Sequence, residues 1–98
     1  MKIKIHKTYR YVVAVADSDL IGKNFEEGIK ILDVRESFYD GDEVDEKELL
    51  KIMKKMNKED ATFNIVGEKS IEISLKAGII SREGVKRVKG IPFALVLM

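Results

Sequence analysis

The chain lacks residue types on which many catalytic and metal sites depend. Its 98 residues include no cysteine and a single histidine, His6. The first absence excludes disulfides, thiolate nucleophiles and thiolate metal ligands. The second excludes a histidine-rich metal site built within one chain. We therefore expect neither a metal nor another cofactor.

Long apolar runs are also missing. No segment approaches the roughly 18 consecutive apolar residues of a membrane span and no apolar leader is visible, so we expect a cytoplasmic protein without membrane contact. A chain of 98 residues supports one hydrophobic core and is too short for two, which predicts a single domain over residues 1–98. Glutamine does not occur and 36% of the residues are charged, a bias that favours a thermophilic source.

Charge is unevenly distributed along the chain. Residues 17–48 contain twelve acids and four bases, a net charge of −8. Because the whole chain carries +1, the remaining residues carry +9. A basic region beside an acidic one indicates an anionic partner, although a mixed charged surface is also ordinary for a soluble domain.

Five segments have the pattern of β-strands. Residues 2–6 alternate basic residues with isoleucine, and residues 11–16 are more continuously apolar. The link between these two is too short for a helix, so we expect an antiparallel pair. Residues 62–66 and 92–97 are two further strands. Residues 29–34 form another, whose inward side chains are either Ile29, Ile31 and Asp33 or Lys30, Leu32 and Val34.

Two helices complete the predicted fold. Asp45 as N-cap and Glu48 three residues later form a capping box for a helix over residues 45–57. A second helix over residues 68–77 connects the strands 62–66 and 92–97 into a βαβ unit with parallel strands. The order β-β-β-α-β-α-β predicts a mixed α/β (α+β) fold, with a mixed sheet of about five strands and two to three helices.

The stretch RESFY, residues 35–39, is the first candidate site. It places a guanidinium, a carboxylate and two hydroxyls directly after a predicted strand, where ligand-binding loops often lie. The residues are Arg35, Glu36, Ser37 and Tyr39. The alternative is a structural corner, in which Arg35 pairs with Glu36 or Asp33 while a phenylalanine fills the core. No spacing gives Ser37 a catalytic triad, so nucleophilic catalysis is not expected.

The turn at Gly67 is the second candidate. The string NIVGEKS, residues 64–70, lacks the G-x-x-x-x-G-K-[ST] frame of a phosphate loop. A glycine before a helix still exposes backbone N–H groups that can receive an anion, assisted by Lys69 and Ser70. The alternative is that Gly67 only permits a tight turn. If Arg35 and Gly67 converge at one end of the sheet, the two stretches form one pocket for a small molecule or an anion.

Basic residues near both ends of the chain form a candidate nucleic-acid surface. Their side chains would neutralise phosphates, and Tyr9 or Tyr11 would stack on a base. The surface requires the last strand to lie near the first. The alternative is ordinary solvated charge. The residues are Lys2, Lys4, His6, Lys7, Arg10, Arg82, Lys86, Arg87 and Lys89.

Four strings together give the chain a family resemblance. HKTYR with VVAVAD, LDVRESFYDG, DATFNIVGEKS and GIPFALVLM resemble the small archaeal proteins grouped as "domain of unknown function 424". The resemblance implies an archaeal cytoplasmic protein and supplies no activity. It adds Phe38 and Asn64 to Arg35, Glu36, Ser37, Tyr39 and Gly67 as candidate positions. A histidine often follows the late proline in this family, whereas Phe93 stands here, which argues against histidine-dependent chemistry.

Three functional hypotheses follow. The first is a noncatalytic binding module for RNA or the translation machinery, including the ribosome, which uses the basic surface. The second is a small-molecule or anion pocket between the RESFY stretch and the Gly67 turn, with catalysis left open. The third is a protein-interaction adapter or a homodimer that uses an exposed sheet face or edge, because the C-terminal strand is strongly apolar.

Overall fold

The computed structural model describes residues 1–97, in which one mixed sheet of six strands forms the centre. The strands are β1 Lys2–Lys7, β2 Tyr11–Ala16, β3 Asn24–Glu27, β4 Lys30–Asp33, β5 Asp42–Glu43, β6 Thr62–Val66, β7 Lys86–Val88 and β8 Ile91–Val96. The strand order of the sheet is β5-β1-β2-β6-β8-β7, and β3 and β4 form a separate antiparallel hairpin.

In the part of the chain that the structure describes, three α-helices accompany these strands, namely α1 Glu36–Tyr39, α2 Glu46–Lys58 and α3 Glu68–Lys76, with 3₁₀ turns at Ser18–Leu20 and Arg82–Gly84. The predicted N-cap of α2 is confirmed, because the Asp45 side chain accepts a hydrogen bond from the Glu48 N–H at 2.8 Å. None of the helices within residues 1–97 has both the length and the apolar character needed to cross a membrane.

The two faces of the sheet have different cores. On one face, Val13, Val15, Phe63 and Ile65 pack against α2 and α3. Each fully buried aliphatic side chain of this kind contributes about 1.5–3 kcal/mol relative to an exposed one. On the other face, small residues such as Ala14 and Ala16 on β2 allow the β3–β4 hairpin and Tyr39 to pack closely. The second face is the one that carries the candidate groove described below.

The predicted mixed sheet and the antiparallel pairing of β1 with β2 are confirmed. The sheet has more strands than expected, because β5 and β7 extend its two edges with two and three residues. Such short, charged edge strands carry almost no period-two signal. Residues 17–28 have small polar residues and two glycines, which predict a turn or a single helical turn. The structure has a 3₁₀ turn at Ser18–Leu20, and β3 is an addition that this pattern did not indicate.

The predicted βαβ unit is wrong in its last strand. β8 pairs antiparallel with β6, because the chain leaves α3 for β7 and then reverses into β8. Lys89 and Gly90 make that reversal with φ values of 52° and 77°. Two successive positive φ values are typical of the tightest hairpin turns, which usually contain Asn-Gly or Asp-Gly. Lys-Gly is not one of these pairs, so the local sequence did not indicate the hairpin.

Of the two predicted inward faces of β4, the structure has the one with Leu32 and Val34. Leu32 and Val34 are buried, whereas Ile29 is 100% exposed and Ile31 is 65% exposed. Backbone hydrogen bonds from Gly22 N–H to Val34 O and from Val34 N–H to Lys23 O hold the end of β4 in place. These bonds therefore fix the position at which the RESFY stretch begins.

Candidate functional site

The RESFY stretch forms a single helical turn on the sheet face opposite α2 and α3. Arg35 precedes this turn in an extended conformation, and Tyr39 ends it inside the second core. Phe38 stacks on His6 of β1, with ring centroids 4.7 Å apart, and the His6 Nε2 lies 2.9 Å from the Phe38 carbonyl oxygen. These contacts fix α1 over β1 and β2 and orient its polar side chains.

α1 and the middle of the sheet enclose an open groove of about 360 Å³. We call it the RESFY groove, and its lining consists of Asp33, Arg35, Ser37, Phe38, Tyr39 and Asn64. Asn64 is a half-buried polar residue of β6, between the fully buried Phe63 and the nearly fully buried Ile65, which face the opposite core. Its register partner on β2 is Ala14. A short side chain beside Asn64 leaves the amide accessible.

Several polar groups of the RESFY groove are not engaged. Among residues 1–97, no hydrogen bond involves the Ser37 hydroxyl, the Tyr39 hydroxyl or the Asn64 amide, and none of these atoms is sealed from solvent. The Arg35 Nε donates to Asp33 Oδ2 at 3.2 Å, but this pair is largely exposed. Exposed pairs of this kind contribute little, so a ligand could displace Asp33 at low cost.

The Tyr39 hydroxyl keeps its proton across the physiological range. Burial raises the pKa of Tyr39 to about 12, and the negative charge of Asp33 adds to the increase. A neutral phenol donates a hydrogen bond as well as accepting one. Arg35, Ser37, Tyr39 and Asn64 therefore supply both donors and acceptors around one space.

The turn at Gly67 has a different arrangement, because its N–H groups already have an acceptor. The Asp17 carboxylate accepts from Lys69 N–H at 3.1 Å, from Ser70 N–H at 2.8 Å and from the Ser70 hydroxyl at 2.7 Å. Asp17 is only 8% exposed. The beginning of α3 therefore holds a carboxylate that belongs to the chain itself, as the helix dipole favours.

Gly67 is required by this packing. Its φ is +109°, a conformation that residues with a Cβ rarely adopt, and an added Cβ would overlap the Asp17 carboxyl group. Gly67 and Lys69 do not line the RESFY groove, and neither does Glu36. Lys69 instead faces a separate and mainly acidic cavity. The expected single pocket of Arg35 with Gly67 is thus not what residues 1–97 form.

The expected proximity of the last strand to the first is wrong. β8 lies between β6 and β7, and three strands separate β1 from β7. The sheet places Lys2, Lys4, His6 and Lys7 at one edge, whereas Arg82, Lys86, Arg87 and Lys89 lie at or beside the other. The physical reason is the unexpected β7–β8 hairpin, because it makes β7 the edge strand on the side of the sheet away from β1.

Several of the basic residues are also engaged locally. Lys4 Nζ donates to the Ser37 carbonyl oxygen at 2.9 Å. Arg87 pairs with Glu68 at 2.9 Å and donates to the Gly90 carbonyl oxygen at 2.8 Å. Arg10 lines a small cavity at the β1–β2 turn, beside Lys7, Tyr9 and Tyr11. The nine basic residues thus form two separate groups.

Sequence reasoning did not identify Asp17 as the partner of the Gly67 turn. A signal existed, because Gly67 offers no side chain to cap α3 and a buried helix start requires an acceptor from elsewhere. Asp17 directly follows β2, which lies parallel to β6 with Ala16 in register with Val66. Carboxyl ends of adjacent parallel strands meet at one edge of a sheet, so this pairing brings Asp17 to the turn.

The fold and the groove define a class, a small mixed α+β protein with a polar groove on the sheet face opposite its two long helices. The chain belongs to the family described as protein of unknown function (DUF424), whose model matches residues 6–98. This confirms the resemblance drawn from the sequence. No curated protein matches the chain.

A solved structure supports the fold. The crystal structure of an uncharacterized conserved protein from Methanopyrus kandleri, an archaeon, has a TM-score of 0.85 to this chain. The two proteins are 22% identical over 99% of this chain and 92% of that one. At such low identity, the likeness shows the shared fold alone.

Proposed function

We propose that this protein is a noncatalytic binding protein that holds a small polar ligand in the RESFY groove. The observation that carries the proposal is the group of unengaged side chains, Ser37, Tyr39 and Asn64, around a space of about 360 Å³. Buried polar groups are normally paired within the fold, and Tyr39 is buried while Asn64 is half-buried. Unpaired ones that converge from α1 and β6 are suited to a ligand.

The chemistry of the lining indicates the kind of ligand. Arg35 suits one anionic group, such as a carboxylate or phosphate, because its pairing with Asp33 is exposed and easily displaced. The Asn64 amide and the Tyr39 hydroxyl both donate and accept hydrogen bonds, which suits a ligand with an amide-like edge or neighbouring hydroxyls. A nucleoside 5′-monophosphate and a hydroxy acid combine these features.

Catalysis is not part of the proposal. A serine nucleophile needs a base within hydrogen-bond reach, and His6 is the chain's only histidine. Its Nε2 is already at 2.9 Å from the Phe38 carbonyl oxygen, and its ring stacks on Phe38. Ser37 therefore has no activating partner in residues 1–97.

Calorimetric titration with matched variants tests the proposal. The ligands are the four ribonucleoside 5′-monophosphates and a set of hydroxy acids, with lysine-like cations as a negative series. Asn64→Ala should reduce the affinity for the tightest-binding ligand about tenfold or more, because it removes a specific hydrogen-bonding group. Thr62→Ala is the control, since Thr62 is also a half-buried polar residue of β6 and lies outside the groove lining. Equal losses in both variants, or no binding by any anion, would reject the groove.

A second candidate is the RNA-binding module, and one observation favours it. Tyr9 is 100% exposed at the β1–β2 turn, between Lys7 and Arg10. An exposed aromatic ring beside basic residues suits stacking on an unpaired base. Glu59 and Asp60 line the cavity of about 280 Å³ at the same turn and would oppose phosphate there. The candidate is therefore limited to this turn and does not extend across the sheet.

Fluorescence anisotropy with a labelled single-stranded RNA of about ten nucleotides tests this candidate. Binding should weaken steeply between about 50 and 200 mM salt, because phosphate contacts release counterions. Tyr9→Ala should reduce affinity about tenfold at constant salt, whereas Tyr11→Phe keeps the aromatic ring and serves as control. Binding that ignores salt, or that is absent, would contradict it. A cytoplasmic location and a homodimer stay predictions, and light scattering tests the latter.

A further inference from the structure

The outer edge of β1 is only partly covered. β5 pairs with Lys2 and Ile3 and with no residue beyond them. Among residues 1–97, no other strand lies beside β1 on that side. Three residues of an edge strand, from Ile5 to Lys7, therefore border solvent rather than another strand, whereas the backbone of Gly41 packs beside Ile3 and Lys4.

The register shows which backbone groups face outward. Thr8 N–H donates to Arg10 O at the turn, so the even-numbered residues of β1 bond inward to β2. Val44 N–H donates to Met1 O, so the odd-numbered residues face β5. By this alternation, the N–H and C=O groups of Ile5 and Lys7 face outward, beyond the end of β5. They offer four hydrogen-bonding groups in the spacing of a strand.

A groove with both apolar and charged lining residues runs beside these groups. It measures about 540 Å³ and lies between β1 and α2, with Ile3, Ile5, Val44 and Ile52 among its lining residues. Ile5 is 43% exposed, so its side chain is accessible from the groove. Asp42, Glu43 and Glu48 line the same groove, and Lys4 is its one basic lining residue among residues 1–97. Because Glu43 is already paired with the Met1 amino terminus and with Lys2, Asp42 and Glu48 supply the open negative charge.

We propose that the open edge of β1 receives an extended segment of a partner protein as an added β-strand. The outward backbone groups of Ile5 and Lys7 bond to the segment, as edge strands do in peptide recognition. One apolar side chain of the segment enters the groove against Ile5 and Ile52. A basic side chain nearby pairs with Glu48. This site is separate from the RESFY groove and does not depend on it.

Charge argues for a partner rather than a second copy. Two β1 edges paired antiparallel around Ile5 would place the grooves of both copies side by side on one sheet face, so that Asp42 and Glu48 of one copy approach those of the other. Repulsion between these like charges opposes such a pairing. A segment with an apolar residue and an arginine matches the groove, because its acids outnumber its bases. The occupant is therefore an extended, apolar and basic peptide.

NMR titration of the full, ¹⁵N-labelled chain tests the proposal. The probe is a synthetic octapeptide that alternates valine and threonine and carries one arginine, compared with the same peptide N-methylated at every second residue. The unmodified peptide should shift the amide signals of Ile5 and Lys7 and slow their hydrogen exchange. N-methylation should reduce affinity about tenfold or more, because it removes the donors a strand uses.

Two variants provide the matched comparison. Ile5→Glu should reduce affinity for the octapeptide about tenfold, whereas Ile31→Glu should leave it within about twofold, because Ile31 is an exposed strand isoleucine that does not line the groove. Circular dichroism checks that both variants fold. Equal binding of the methylated peptide, shifts away from β1, or no binding at all would overturn the proposal. Sedimentation showing a dimer that Ile5→Glu dissociates would overturn it in favour of a second copy.

Discussion

The RESFY stretch and the Gly67 turn look alike in the sequence, yet they use their polar groups in opposite ways. Each follows a strand and each offers several hydrogen-bonding groups. At Gly67, the N–H groups of Lys69 and Ser70 at the start of α3 donate to the carboxylate of Asp17, which is 8% exposed. At RESFY, the Ser37 hydroxyl and the Tyr39 hydroxyl have no partner among residues 1–97. The polar groups of the Gly67 turn are therefore satisfied within the fold, whereas those of the RESFY stretch remain open to a ligand.

The difference arises from topology. β2 and β6 are parallel neighbours, so the residue after β2 meets the turn after β6. Asp17 is therefore in place to accept from Lys69 and Ser70. β4 belongs to a separate hairpin, and among residues 1–97 no parallel strand lies beside its end. No residue of the described chain arrives to satisfy the hydroxyls that follow it.

The largest expected effect is that of Gly67→Ala on stability. The variant places a Cβ against the Asp17 carboxyl group and strains a backbone with φ of +109°. We expect a loss of about 2–4 kcal/mol in the free energy of unfolding. Urea denaturation measures it. Gly84→Ala is the control, because an added Cβ there meets nothing within 4 Å. If Gly67→Ala is as stable as the unchanged protein, Gly67 does not pack closely against Asp17.

The next effect is the loss of the Asp17 cap. Asp17→Ala leaves two backbone N–H groups and the Ser70 hydroxyl without their acceptor. We expect it to destabilise the protein by about 1–3 kcal/mol, and Asp17→Asn by less, since an amide oxygen still accepts. The comparison is Asp19→Ala, which changes an exposed acid nearby. If both alanine variants lose the same stability, the cap is not what holds the turn.

The third prediction concerns Tyr39 and high pH. Since folding raises the pKa of Tyr39 to about 12, the neutral phenol is favoured in the folded state. The associated stability is present below about pH 10, the ordinary value, and is lost as the pH rises towards 12. Tyr39→Phe should remove this part of the alkaline loss. Urea midpoints and absorbance at alkaline pH measure both changes.

A companion variant separates the two causes of that shift. Burial is the larger cause and the charge of Asp33 the smaller. Asp33→Asn should therefore lower the pKa of Tyr39 only part of the way to its ordinary value. A full return would mean that Asp33, and not burial, controls the hydroxyl in the groove.

The smallest expected effect is at Glu43, on the exposed side of the Gly67 region. The amino terminus of Met1 and the Ser18 hydroxyl bond to its carboxylate and hold the pKa of Glu43 below its usual range. A lowered folded pKa contributes stability above the unfolded pKa, which is lost as the pH falls through the folded value. Glu43→Gln should lower Tm slightly at neutral pH and not at strongly acidic pH. An effect that is larger in acid would contradict this sign.

Local signals made part of the structure predictable. The N-cap Asp45 and the Glu48 three residues later marked the start of α2 from the local sequence alone. The tight-turn interpretation of Gly67 needed only a strand, a glycine and a helix. The partner Asp17 lies 52 residues from Lys69, and only the pairing of β2 with β6 reveals it.

The parts that could not be predicted depend on long-range placement. The Lys89–Gly90 hairpin moved the basic C-terminal residues to the edge opposite β1, and no local pattern indicated this. The groove was predicted only as its separate parts. Asn64 was a candidate through family membership, and only the folded sheet puts it beside Ser37 and Tyr39. Sequence therefore identified the polar residues better than it identified their neighbours.

The most direct test of the contrast between the open groove and the closed turn is an amide NMR map of the native chain with nucleoside monophosphates and hydroxy acids. The account predicts that signals shift at Arg35, Ser37, Tyr39 and Asn64, while those of Lys69 and Ser70 stay in place because Asp17 already occupies their N–H groups. Shifts at Lys69 and Ser70 without changes around Arg35 would contradict it and would make the Gly67 turn the binding site.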